Sequence, residues 1–158
     1  MAAVVPGRTT HEHHGDVVVF LIGMRVNRLR ALRTWAPLLR AMPAMLRELD
    51  ADPSLGMLRY TQHLSGRGAL VVQYWRDLES LLAYAQSADH AHRPAWGEFN
   101  RRAREARGAV GIWHETFVVP AGRHESLYVD MPLTGLPAAV GQVPVSRRRE
   151  TARDRLAG

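Results

Sequence analysis

The chain has 158 residues, 46% hydrophobic and 23% charged, with a net charge of +6. That is room for one domain with a real core and not comfortably for two. It has no cysteine, which excludes disulfides, thiolate metal sites, iron–sulfur ligation and cysteine nucleophiles, and fits a cytoplasmic setting. No apolar run approaches the ~18 residues of a membrane span, and the first ten residues read as no secretory signal.

Residues 1–15 hold Pro6, Gly7, His11, His13 and His14 and read as a flexible N-terminal arm. Its imidazoles have no packed surroundings to make a metal centre, so no metal is expected. Val17 to Met24 is a short apolar run rich in β-branched residues and predicts a central strand. Leu32, Trp35, Leu38, Leu39, Met42, Met45, Leu46 and Leu49 then recur at three- and four-residue spacings, which predicts an amphipathic helix to Asp50. Pro37 is expected near its first turn, and Pro43 implies a kink or break.

A turn at 52–56 leads to a predicted strand over 55–64, a hairpin connection at Ser65–Gly68 and a returning strand over 69–75. Asp77 is placed to cap a helix running to about Ala85. A second helical segment follows from about His92 to Ala106. Strands over 110–119 and 123–131 flank the turn at Pro120–Gly122. The remainder, 132–158, is rich in Gly, Pro and Arg and reads as an irregular extension.

The order β-α-β-β-α-β is that of a ferredoxin-like α+β domain over 16–131, with one further strand. Its helices cover one face of an antiparallel sheet. The first strand is apolar on both faces, because Val17, Val19 and Leu21 oppose Val18, Phe20 and Ile22. The second face calls for a partner, and a second copy of the chain is the simplest one. The arginines at 101, 102, 104 and 107 and at 147, 148, 149, 153 and 155 read as a solvated helix end and a solvated tail. They do not point to nucleic acid.

The densest group of chemistry-bearing residues runs from Tyr74 and Trp75 to His90, His92 and Trp96. Two residues apart, His90 and His92 point to opposite sides of a regular helix unless Pro94 breaks it. Either imidazole could relay a proton or hold haem iron. His114 and Glu115 face opposite ways on one strand, and His114 is the better candidate for a pocket wall. Tyr74, Trp75 and Trp96 could floor a pocket for a flat apolar ligand, with Tyr74 or Tyr128 offering a hydroxyl. Arg25 and Asn27 follow the first strand, where Arg25 would suit an anionic group. No phosphate loop, nucleophile elbow or metalloprotease motif is present.

The stretches LVVQYWRDLESLLAYAQSADHAHRPAWGEFNRR and GIWHETFVVPAGRHESLYVDMPLTGL, with VVVFLIGMRVNRL and RAMPAMLREL before them, resemble a bacterial monooxygenase-like family. The resemblance covers about residues 16–141. It implies a dimeric α+β barrel, a homodimer, and a monooxygenase-like oxidoreductase acting on a hydrophobic small molecule. By the same resemblance His90 and His92 are catalytic candidates, beside His114, which its place on the strand adds. The cofactor is either none or haem b, the latter held by His90 or His92 with Arg25 beside a propionate. The alternatives are a haem enzyme of aldoxime-dehydratase or haem-monooxygenase type, and a non-catalytic dimeric binding or stress protein.

Overall fold

The apolar run after Asp16 forms strand β2 (Val17–Val26), and the central position expected for it is where it lies. The computed structural model describes residues 3–86, 94–146 and 149–157. Strand β2 sits inside a four-stranded sheet with β3 (Met57–Ser65), β4 (Gly68–Trp75) and β5 (Val110–Val119), in the order β3-β4-β2-β5. All three pairings are antiparallel. Helix α1 (Leu32–Asp50) joins β2 to β3, while α2 (Leu78–Gln86) and α3 (Pro94–Glu105) join β4 to β5. This is the ferredoxin-like arrangement in an α+β chain. The Asp77 carboxylate accepts the backbone N–H of Ser80 at 2.6 Å, which caps the entry to α2 as its position suggested.

Helix α1 runs through both prolines, so the chain does not break at Pro43. Its first residue is Leu32, so Pro37 lies in the second turn rather than the first. Each interior proline removes a ladder hydrogen bond and costs about 3 kcal/mol. Leu38, Met42, Met45, Leu46 and Leu49 are all buried on one side of this helix. At about 1.5–3 kcal/mol for each buried side chain, the stripe outweighs both prolines. It packs on Ile22, Met24 and Val71 of the sheet and on Ala106 and Val110. A second cluster gathers Val18, Leu49, Met57, Trp75, Leu81 and Tyr84.

Val18, Ile22 and Met24 thus face the helices, and their neighbours Val19, Leu21 and Gly23 face the other way. Register carries this face across the sheet. Gly23 lies opposite Trp113 and Leu70, Leu21 opposite Glu115 and Val72, and Val19 opposite Phe117 and Tyr74. A β-carbon at position 23 would run into the Trp113 indole, so the glycine makes the ring's seat. Trp113 and Phe117 remain 43% and 49% exposed. The second apolar face anticipated from β2 therefore exists.

The chain ends depart from expectation. Where a flexible arm was expected over 1–15, Val4–His11 forms strand β1. It is the middle strand of a second antiparallel sheet, between β6 (Tyr128–Pro132) and β7 (Gln142–Pro144). Pro6 and Gly7, which suggested an arm, sit where the pairing with β6 shifts register between Val5 and Arg8. There the Gly7 N–H donates to the Asp130 carboxylate at 2.8 Å. The last predicted strand is shorter than expected, leaving 123–127 outside it. The 132–158 extension carries structure of its own in α4 (Gly135–Val140), β7 and α5 (Ala152–Ala157). Among the described residues no helix is long and apolar enough to cross a membrane.

Candidate functional site

A hairpin turn and the start of a helix leave an apolar groove between them. The β3–β4 hairpin turns at Gly66 and Arg67, and α1 begins after the segment carrying Leu29. Between these elements lies a cavity of about 310 Å³, walled by Val26, Leu29, Trp35, Leu39 and Leu64 with Arg67 at the turn. The Trp35 indole N–H donates to the Leu29 carbonyl at 3.0 Å, which pins the ring as one wall. Leu64 is exposed at the mouth. Such a groove supplies shape and apolar contact, and Arg67 is its one charged group. Of the catalytic and binding candidates among the described residues, none lines it.

Those residues are distributed as follows. His90 and His92 lie outside the described residues, as does the side chain of Trp96. His114 stands on the helix side of the sheet, with its ring 5.7 Å from that of Phe20. It is exposed, because β5 is an edge strand. The face away from the helices receives Glu115 instead. Trp75 is a core side chain, 0% exposed, and its indole donates to Gln73 Oε1 at 2.9 Å. Arg25 donates to the Asn27 side chain at 3.0 Å, and Asn27 in turn donates to the Gly108 carbonyl at 3.3 Å. These two close the end of β2 onto the start of β5.

Tyr74 and Tyr128 are brought close, although 54 positions separate them. Burial raises the Tyr74 hydroxyl above the ordinary tyrosine range, and the neighbouring Tyr128 adds to the effect. Burial also raises Tyr128, opposed by a backbone hydrogen bond from Leu136. Both phenols therefore stay protonated at neutral pH and can donate a hydrogen bond.

A hydrogen-bonded chain of side chains links the two ends of the molecule. The His124 Nε2 lies 2.8 Å from the Gly15 carbonyl, which can only accept, so this nitrogen carries a proton. Neutral His124 then accepts at Nδ1 from His11 Nε2, 2.9 Å away. The Ser126 hydroxyl donates to His11 Nδ1 at 2.9 Å. Burial lowers His11 to a pKa of about 4, helped by repulsion from His124, His13 and His14 and opposed by Glu125. The folded chain thus binds fewer protons here than the unfolded chain, whose imidazole titrates near 6.5. Stability falls as the pH drops from about 6.5 towards 4, by about 2–3 kcal/mol. Urea unfolding of wild type and His11→Gln at pH 7 and pH 4.5 checks this. The variant is expected to lose less stability between the two, and equal losses would refute it.

Sequence reasoning missed the groove because its wall comes from two separate elements. Leu64, an apolar residue beside the hairpin glycines, was its one local signal. The His11–His124 contact spans 113 positions and had none.

Comparison with known proteins gives these relations. The chain is 30% identical over 172 residues to monooxygenase af470 of Aspergillus fumigatus, a match that takes in 95% of this chain. The chain spans 59% of that relative's length. Among solved structures it is similar to SnoaB, a cofactor-independent oxygenase from Streptomyces nogalater, with a TM-score of 0.44 and 15% identity over 65% of this chain and 91% of the other. MupZ from Pseudomonas fluorescens gives 0.44 and 14% over 69% and 73%. At such identities and scores, the two solved structures say nothing of this chain's reaction. The model of the Monooxygenase af470-like family matches residues 17–136, from the first residue of β2 into α4, and the chain belongs to that family.

Proposed function

We propose that the chain is a monooxygenase-like enzyme that takes a hydrophobic small molecule into the groove between α1 and the β3–β4 hairpin. The observation that carries this reading is the groove itself, about 310 Å³ with an apolar wall and a pinned indole. Membership of a monooxygenase family supplies the reaction class. The groove binds and orients, and it keeps water from the bound molecule. With molecular oxygen as co-substrate, an electron-rich phenol held there would supply the electrons itself: one oxygen atom enters the ring as a carbonyl, the other leaves as water with the two hydrogens lost, and the phenol becomes a quinone.

We propose the reading without haem. Among the described residues lining the groove none is a histidine, and His90 and His92, which the haem alternative needs, lie outside the described residues. A Soret band that appears on haem titration and disappears in His90→Ala or His92→Ala would overturn this. The active form is proposed to be a homodimer that uses the sheet face carrying Trp113 and Phe117. That pairing would give the dimeric barrel its second half.

Substitution in the groove tests the substrate reading. A flat phenolic probe is expected to quench Trp35 fluorescence saturably, with the signal assigned by its loss in Trp35→Phe. Leu39→Arg places a charge in the wall and is expected to weaken probe binding at least about tenfold, since an apolar probe would then have to strip water from a guanidinium it cannot pair. Unchanged affinity in that variant would remove the groove from the reaction.

A further inference from the structure

The second cavity of the molecule is polar and lies away from the groove. It has a volume of about 240 Å³ and is walled by His11, His13, His14 and His124 from one side and by Arg149 and Arg155 from α5 and the turn before it. No carboxylate lines it. The Arg155 side chain is 6% exposed. Its Nε donates to Glu125 Oε2 at 2.8 Å, and its Nη1 to the Arg149 and Glu150 carbonyls at 3.1 and 2.9 Å. Those bonds fix the guanidinium plane and occupy three of its five N–H groups. The other two, on Nη2, make no hydrogen bond among the described residues.

We propose that this cavity is a binding site for a small oxyanion, a phosphate or carboxylate group. Three features converge on it. A buried, rigidly held guanidinium presents donors in the fork that matches an oxyanion. Arg149 brings a second positive charge. His13 and His14 add imidazoles to the wall, while the ring nitrogens of His11 and His124 are taken up by Ser126, Gly15 and each other, which fixes both rings in place.

An anion in the cavity also offsets the mutual repulsion of the imidazoles. The charged and titratable groups that face one another are the four histidines, Arg149, Arg155 and Glu125. Glu125 is already engaged by Arg155.

Calorimetric titration of the full chain with inorganic phosphate, and separately with acetate, tests the proposal. Saturable binding at one site is expected for at least one of the two. Which of them binds identifies the group. The double variant His13→Ala, His14→Ala and the single variant Arg149→Gln should each weaken it at least about tenfold, with ring-proton shifts of His124 marking the site. If Arg149→Gln does not fold, the double histidine variant decides. Absence of saturable binding, or an affinity that neither variant changes, would mean an adventitious ion only and would overturn the site. The groove reading is untouched by either result.

Discussion

Replacing Trp75 with alanine is expected to lower the stability of the chain by about 3–5 kcal/mol, the range for removing a large aromatic side chain from a packed core. For a domain of this size that is a fall in melting temperature of about 6–20 °C. Trp75 is fully buried against Val18, Leu49, Met57, Leu81 and Tyr84, and its ring lies 5.7 Å from that of Tyr84. Its loss does two things at once. It opens a cavity between β4 and α2, and it leaves the buried Gln73 oxygen without the indole N–H it accepts. Trp75→Phe separates these, since it keeps most of the volume and removes only the donor. Thermal unfolding of the three proteins decides the matter. An alanine variant as stable as wild type would show that Trp75 does not hold the second core cluster.

Phe117→Glu is expected to dissociate the proposed dimer while leaving the monomer folded. The side chain sits beside Val19 on the sheet face away from the helices and is half exposed in the single chain. A charge there should therefore change monomer stability by no more than about 0.5 kcal/mol. In a dimer formed through that face it would be buried without a partner. A central aromatic contact is typically worth about 2–4 kcal/mol, which raises the dimer Kd by about 30- to 1000-fold. Sedimentation velocity across a concentration series reads this directly. A wild-type chain that stays monomeric at tens of micromolar, or a variant that dimerises as tightly as wild type, would refute the interface.

Elements whose signal is local were legible in the sequence. The three- and four-residue spacing from Leu32 to Leu49 gave α1 its bounds, and the β-branched run gave β2. The turn residues at Ser65–Gly68 between two apolar runs gave β3 and β4. Asp77 announced its helix because capping involves only a carboxylate and an N–H three residues on. Pro43 misled because propensity weighs one missing hydrogen bond, whereas packing weighs five buried side chains. Strand β1 was hidden for a related reason. Pro6 and Gly7 are loop formers by local preference, and the partners that make them part of a sheet lie more than 120 positions later.

The candidate site was legible only in outline. Tyr74 and Tyr128 were named separately for their hydroxyls, and it took the fold to bring them close. His114 was read on the right strand, but which face of the sheet the helices cover is a tertiary fact. That choice put it beside Phe20 rather than on the open face. Neither cavity could be read at all, because each is bounded by segments distant in the chain.

The second sheet has a kinetic consequence. Thr9 pairs with Tyr128 on one side and with Pro144 on the other, so its neighbours are made long after it. Closing loops of that length is slow, and contacts between such distant positions form after local ones. During synthesis the ferredoxin-like sheet can assemble from β2 to β5 while β1 waits as an unpaired strand. Until β6 and β7 have been made, β1 has no partner on either edge. Only the arrival of β7 removes the second edge from reach of neighbouring chains.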